Sequence, residues 1–324
     1  MAAPVTVLVG GLATADADGL CVAQAAAAAQ YLAINGALAD EDADNICASQ
    51  SPGGAGNLTI DGALAVSGIA YIPTRRRIYI TSAGNDSGRT FTIYGLVRSP
   101  QGNYASVVET VTGANTSVVS STNAYDAITR IAISGASAAA VTVGMNGLGT
   151  LDVARRVLIT SAGNDTSITY TLYGTNWAGD LISEVITGPN ATTATSVLSY
   201  KTVTGVLTSA ATASTVEIGT NGVADSPWVR FEDFAANSQT TIQTLVAGTV
   251  NYDIETAMLD PNAQGTYAYQ APGLVSWLDA LDTELVNETA SKSGFFAYTP
   301  IWARVTLNSG TGTVRATFRQ AYLG

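Results

Sequence analysis

The chain has 324 residues, a net charge of -11, no histidine, 47% hydrophobic residues and only 12% charged ones. An acidic chain whose longest basic run is Arg75-Arg76-Arg77 is excluded as a phosphate-neutralising nucleic-acid binder, and its longest apolar run, Ala25 to Ala29, is too short to cross a membrane as a helix. The missing histidine removes the commonest general base and metal ligand, while polarity comes from Thr, Ser, Asn, Gln and Gly, which suits strands, tight turns and broad contacts with other copies.

The N-terminus, Met1-Ala2-Ala3-Pro4, has no basic n-region, so no secretory signal is expected. Residues 1–44 read as an arm carrying a duplication. Asp16-Ala17-Asp18-Gly19-Leu20-Cys21 matches Asp42-Ala43-Asp44-Asn45-Ile46-Cys47, and Leu32 to Ala39 matches Leu58 to Ala65, both at an offset of 26 residues. Ala23 to Ala33 favours a helix on propensity, but its partner segment holds Pro52, Gly53, Gly54 and Gly56, which a helix does not tolerate. The reading is loop and strand, with a short helix at Ala23 to Gln30 as the alternative. Asn35-Gly36 and Asp61-Gly62 are expected as type I′ hairpin turns. Cys21 and Cys47 fall at matched positions and read as small buried side chains rather than a disulfide, in keeping with assembly in a reducing cytoplasm.

A longer repeat follows. Arg76-Arg77-Ile78-Tyr79-Ile80-Thr81-Ser82-Ala83-Gly84-Asn85-Asp86 matches Arg155-Arg156-Val157-Leu158-Ile159-Thr160-Ser161-Ala162-Gly163-Asn164-Asp165 at an offset of 79. The offset holds through Phe91 to Gly95 and Tyr170 to Gly174, then falls to 75 for Glu109 and Glu184, Tyr125 and Tyr200, Val141 to Gly144 and Val216 to Gly219. The difference is expected in a longer hairpin loop around Ser99-Pro100-Gln101-Gly102, because loops absorb length changes. Alternation places Phe91, Ile93, Tyr170 and Leu172 on core faces. A third, diverged copy includes Val250 to Glu255 and the closing strands Ala303 to Leu307 and Val314 to Phe318; all three copies are expected to end in a hairpin. Six or seven short strands per copy is the size of a small Ig-like sandwich. The expected architecture is all-β: a hairpin-repeat arm over residues 1–44, then tandem Ig-like β-sandwich modules over 45–147, 148–224 and 225–324.

The Arg-Arg-x-x-Ile-Thr-Ser-Ala-Gly-Asn-Asp strand and turn, the later Thr-Gly-x-Asn and the closing Asn308-Ser309-Gly310-Thr311-Gly312 resemble tandem β-modules of virion structural proteins of tailed bacteriophages. The resemblance covers roughly residues 43 to 324. It implies a virion protein assembled in the host cytoplasm, a homo-oligomer (a trimer would suit three-fold sites) that contacts major capsid or tail proteins. The expected role is capsid decoration; the alternatives are a tail or neck adaptor or fibre protein, and a glycan-binding adhesin.

Candidate sites are few. Ser82 to Asp86 and Ser161 to Asp165 read as β-turns with an Asp cap rather than ligand loops. Asp16, Asp18, Asp40, Glu41, Asp42 and Asp44 offer oxygens for calcium but lack EF-hand spacing, so a solvated loop is the reading. No cofactor and no resident metal are expected. Arg75, Arg76 and Arg77, and Arg155 and Arg156, begin equivalent strands and either pair with carboxylates of another subunit, Arg76, Arg77, Arg155 and Arg156 above all, or guard a sheet edge. Trp177, Trp228, Trp277 and Trp302 read as core or interface anchors, with Trp277 in the least repeat-like segment, Pro261 to Glu288, read as a contact surface or a short helix over Val275 to Glu284. Nothing in the sequence assembles a nucleophile, a base or a phosphate loop, so no enzymatic activity is expected.

Overall fold

A computed structural model describes residues 4–10, 16–98, 103–231, 239–261, 278–279, 285–296 and 300–321. The chain is all-β, with antiparallel sheets and no α-helix among the described residues. The first part holds β1 (Val5–Gly10), β2 (Asp16–Gln24), β3 (Asp42–Gln50), β4 (Gly56–Asn57) and β5 (Ala65–Val66). A first body follows with β6 (Ile69–Ser82), β7 (Thr90–Arg98), β8 (Tyr104–Thr112), β9 (Val118–Ile133) and β10 (Val141–Met145). A second has β11 (Gly149–Ser161), β12 (Thr169–Thr175), β13 (Leu181–Thr187), β14 (Thr193–Thr208) and β15 (Val216–Asp225). The third has β16 (Val229–Arg230), β17 (Gln239–Ala247), β18 (Asn251–Ala257), β19 (Leu278–Asp279), β20 (Ser293–Phe295), β21 (Trp302–Ser309) and β22 (Thr313–Ala321).

The first two bodies share one topology. The order β3-β10-β6-β9-β7-β8 repeats strand for strand as β2-β15-β11-β14-β12-β13. Alternating apolar residues drive both: Phe91 and Ile93 in one, Tyr170 and Leu172 in the other, are fully buried as the pattern requires. The ladder of β6 with β9 slips between Tyr71 and Arg76 and again between Arg77 and Tyr79, and that of β11 with β14 slips at the matching places. Such bulges bend long strands, so each sheet folds around a single apolar cluster, one containing Ile78, Phe91, Tyr125 and Val143, the other Val157, Tyr170, Tyr200 and Ile218.

The third body is built differently. β1-β22-β17-β20 forms one sheet, and β21-β18-β19 belongs to the ten-stranded sheet that continues from β15 through the pairs Ala224–Leu307 and Asp225–Thr306. Val9, Ile242, Val314 and Phe318 from the first sheet share a core with Tyr252, Ile254, Val305 and Leu307 from the second.

The described residues among the first 66 are distributed over all three bodies, in reverse order. β1 pairs with β22, β2 with β15 and β3 with β10. Val9 is buried in the third core, Leu20, Leu32 and Ile34 in the second, and Ile46 and Leu58 in the first. Fully burying one such side chain is worth about 1.5–3 kcal/mol, so each body depends on its arm segment. The repeat at 26 residues is therefore a repeat of docking: Ile218 opposes Cys21 and Thr220 opposes Asp16, as Val143 opposes Cys47 and Met145 opposes Asp42.

Several expectations are corrected. The two copies of the arm repeat are not hairpins, and Asn35-Gly36 and Asp61-Gly62 are not type I′ turns, since none of the four residues has positive φ. The turns close one residue later, by Ala39 N–H to Gly36 O and Ala65 N–H to Gly62 O. Glycine is needed there for close approach instead: a Cβ on Gly36 would lie 2.3 Å from Asp18 O, and one on Gly62 would lie 2.2 Å from the Asn45 carbonyl carbon. The two-residue hairpin with positive φ at both positions is Ser67-Gly68, between β5 and β6. The alternative helix at Ala23 to Gln30 is strand and turn. Each repeat closes with an arch rather than a hairpin: β9 and β10 pair with other strands, as do β21 and β22. Finally, the four-residue length difference lies in strands. β7 and β8 pair over nine positions, β12 and β13 over seven, so the first hairpin is longer by two rungs while the connections 99–103 and 176–180 are equal in length. Of the helix expected over Val275 to Glu284, Leu278 and Asp279 form a strand paired with β18, and the remainder lies outside the described residues.

Candidate functional site

The repeated polar residues are posts that hold turns and bulges, and among them Asp86, Asp165, Glu184 and Gln24 are buried. Asn85 and Asn164 accept from the N–H groups of Ser87 and Thr166, which makes each loop an Asx turn. The buried carboxylates that follow accept from the opposite arch: Ala138 N–H to Asp86 Oδ1 at 2.7 Å and Ala213 N–H to Asp165 Oδ1 at 2.8 Å. Asp165 Oδ2 also accepts from Ser161 Oγ and from the Tyr170 hydroxyl, both at 2.6 Å. Burial pulls this carboxyl upward, but the bonds from Ala213, Ser161 and Tyr170 outweigh it and the net direction is down. In the first body Phe91 stands where Tyr170 stands in the second, and Asp86 Oδ2 and Ser82 Oγ have no protein partner.

Glu109 and Glu184 clamp the bulges. Glu109 accepts from Thr122 N–H, Asn123 N–H and Nδ2, and the Tyr125 hydroxyl. Glu184 accepts from Val197 and Leu198 N–H, and burial raises its carboxyl despite these bonds. Gln24 and Gln50 clasp the arm turns in the same way, each amide exchanging two hydrogen bonds with a backbone nine residues on, Ala33 and Thr59. The pairing of Gln24 with Gln50 at the 26-residue offset was the available signal for this clasp; the motif match above stops at the cysteines.

All four candidate arginines have intrachain surroundings. Arg76 pairs with Asp40 at 2.8 Å, and Asp40 also accepts from Leu148 N–H. Arg77 reaches from the first body to the second: its guanidinium lies 3.4 Å from the Tyr31 ring centroid and donates to Thr204 O. Arg155 is buried and bidentate to Asp152 at 2.8 Å. Burial raises the Glu184 and Glu255 carboxyls, and Arg156 lies close enough to both for its charge to offset a small part of that rise. The same joint is sealed by Asn146, whose side chain accepts from Ile34 N–H and whose neighbour Gly147 donates to Ile34 O.

A second joint, between the second and third bodies, escaped sequence reading. Arg304 on β21 pairs with Asp225 of β15 at 2.7 Å and with Glu255 of β18 at 2.6 Å, and stacks 4.6 Å from the Trp228 ring centroid. All three charges are buried. Burial drives the Glu255 carboxyl up, and Arg304 only partly offsets it. Trp177 donates to Asp225 O at 2.6 Å and carries Lys201 over its ring. Trp302 opposes Arg230 across the β16–β21 ladder; Trp277 lies outside the described residues.

No group of three or more Cys, Asp or Glu among the described residues is placed to hold a metal ion. Of the acidic segment, Asp40 is engaged by Arg76 and Glu41 by the Tyr79 hydroxyl. Cys21 and Cys47 are free, buried and in different cores; burial first, then the charge of Asp61, pushes the Cys47 thiol up to about 12, which leaves it unreactive. A cleft of about 550 Å³ separates Ala25–Gln30 on the second body from Glu109–Val119 of the first. Its walls are small and neutral apart from Glu109, which is already saturated.

A scan against protein-family models, a search of curated proteins and a search of solved structures each give no match. The chain's reading therefore rests on its own residues: an all-β body stitched together by an arm, with its conspicuous charges spent on internal joints.

Proposed function

We propose that this chain is a structural, non-catalytic protein of a tailed-bacteriophage particle, acting as a capsid decoration protein that stabilises the head through contacts between subunits. The observation that carries the reading is the arm, which contributes a strand to each of three bodies and joins them into one continuous structure. Joints closed by strand pairing, a buried Arg304 triad and the Arg77–Tyr31 stack suit a part that bears load and keeps its shape. Many weak contacts of such a body add up over a lattice. The strand-and-turn motif at Arg76 to Asp86 and Arg155 to Asp165, with its resemblance to virion β-modules, supplies the particle context.

The test is the amount of this chain in purified particles, measured by mass spectrometry against the major capsid protein. An amount of the same order as the capsid protein is expected. A trace amount, typical of a neck or fibre, would replace decoration with the tail reading, and absence from particles would overturn both.

A further inference from the structure

Three Asn-Gly steps occur in the chain, at Asn35-Gly36, Asn146-Gly147 and Asn221-Gly222, and the last two are matched positions of the longer repeat. An asparagine followed by glycine is able to modify itself, because a glycine nitrogen with no Cβ beside it reaches the side-chain amide carbon of the residue before it. The folded chain holds the three steps differently. Gly36 N–H donates to Leu20 O at 2.9 Å and Gly147 N–H to Ile34 O at 2.8 Å, and both glycines are buried. Their asparagine side chains are tied to other segments: Asn35 Oδ1 accepts from Val22 N–H at 3.1 Å, and Asn146 accepts from Ile34 N–H while its Nδ2 donates to Ser120 Oγ at 3.4 Å.

Asn221-Gly222 is arranged otherwise. It lies in the gap where the ladder of β11 with β15 slips, between the pairs Val157–Thr220 and Arg155–Ala224, and no described ladder includes Asn221, Gly222 or Val223. Gly222 is half-buried, with a φ of 87°. Asn221 Oδ1 accepts from Val223 N–H at 3.1 Å, an Asx turn that folds the side-chain amide back over its own peptide bond. The same N–H polarises the amide carbonyl and faces the oxygen on which negative charge develops when Cγ is attacked. The step that is clamped at the joint of the first and second bodies is, in its twin, folded for reaction.

We infer that Asn221 is a site of spontaneous deamidation, selected from the three by the fold. The Gly222 nitrogen gives its proton to hydroxide and bonds to Asn221 Cγ. The Cγ–Nδ2 bond breaks, and the nitrogen takes a proton from water and leaves as ammonia, which closes a cyclic imide. Water then opens the imide at either carbonyl, leaving aspartate or, with the main chain running through the side chain, isoaspartate. Either product adds a negative charge, and isoaspartate adds a methylene to the backbone. Both changes fall just before the Ala224–Leu307 and Asp225–Thr306 pairs that join the second body to the third, and beside Gly222 O, which accepts from Arg155 Nη1 at 3.4 Å. This joint is therefore the part of the molecule that the chemistry alters with age. Nothing in it depends on the proposed assembly role.

The experiment is peptide mapping by mass spectrometry of the full chain, held for increasing times in mildly alkaline buffer made with heavy-oxygen water, folded and in parallel in denaturant. In the folded chain the deamidated peptide is expected to accumulate at Asn221 and to carry a heavy oxygen from imide opening. Asn35 and Asn146 react only through local opening, so they are slower by roughly tenfold or more. In denaturant the three sites converge, since each is then an asparagine before a flexible glycine. Hydrogen exchange of the aged chain rises in β15 and β21. Deamidation at Asn221 no faster than at the other two sites of the folded chain overturns the inference, as does a difference that persists undiminished in denaturant. Exchange that stays unchanged once Asn221 is fully modified overturns its effect on the joint.

Discussion

The first and second bodies are the same sheet built twice, and they differ most where one buried carboxylate is held. In the second, Asp165 has three donors and Tyr170 completes the post; in the first, Phe91 fills the same volume without a hydroxyl and leaves Asp86 Oδ2 and Ser82 Oγ without protein partners. At the bulge the bias reverses: Glu109 takes four donors, Glu184 two from the backbone. The topology survives both changes. What the two copies keep in common is the geometry that admits the arm, which identifies docking of the arm, rather than any one polar post, as the feature the repeat cannot lose.

The most damaging way to break the comparison is to block that docking. A Cβ on Gly144 would lie 1.8 Å from Asp42 O, and one on Gly219 would lie 1.7 Å from Asp16 O. Gly144→Ala and Gly219→Ala are each expected to cost about 3 kcal/mol or more, at the top of the range for overpacking. Hydrogen exchange read by mass spectrometry will show lost protection in β3 for the first and in β2 for the second.

Next in size are the bulge carboxylates. Glu109→Ala is expected to destabilise the first body by about 3 kcal/mol and Glu184→Ala the second by about 1–2 kcal/mol, since bonds to a charged acceptor are the stronger kind. Denaturant melts followed by exchange in each body check the order; equal losses would contradict it.

The phenol swap sharpens the contrast. Tyr170→Phe should cost about 1–2 kcal/mol and Phe91→Tyr should add about 1 kcal/mol by giving Asp86 its missing donor. The pair also has a pH signature. Asp165 is depressed in the folded chain, so its contribution is full above the ordinary carboxylate range and is lost as pH falls through the lowered value. Tyr170 is raised, by burial and then by Asp165, so its contribution is full below the ordinary phenol range and is lost as pH rises through the raised value. Asp165→Asn should flatten the acid limb of a pH–melting curve and Tyr170→Phe the alkaline limb.

The smallest effect is expected at the hairpin tips. Deleting Val97, Arg98, Tyr104 and Ala105 makes the β7–β8 hairpin the length of β12–β13. Arg98, Tyr104 and Ala105 are exposed, and Val97 only brushes the first core, so the unfolding free energy should move by about 1 kcal/mol, read from a denaturant melt.

Much of this was legible in the sequence for a physical reason: strands and repeats are local patterns. Alternation located Phe91, Ile93, Tyr170 and Leu172 correctly, and the Asp of each Ser-Ala-Gly-Asn-Asp loop does accept a free N–H, although from the opposite arch, while the Asn before it makes the turn. Pairing partners are not local. Nothing near Leu20 or Ile46 states that β2 belongs with β15 and β3 with β10, and an arch between layers has the same strand, small-residue turn and strand as a hairpin. Asn35-Gly36 misled because glycine serves close approach as well as positive φ. The arginine pairs were visible as a motif, but Asp40 and Tyr31 become their neighbours only after the arm has folded back. The Arg304 triad joins three strands far apart in the chain and leaves no motif at all.

The reversed path of the arm has a consequence for synthesis. β3 finds its partner once β10 has been made, β2 must wait for β15, and β1 waits for β22, so the chain closes like a zip drawn back toward its first residues. Of these three arm strands, the one translated first is the last to be secured. It ends with Val5 beside Phe318, so labels attached at the two ends of the described chain will report on each other, and their proximity will mark the moment folding is complete.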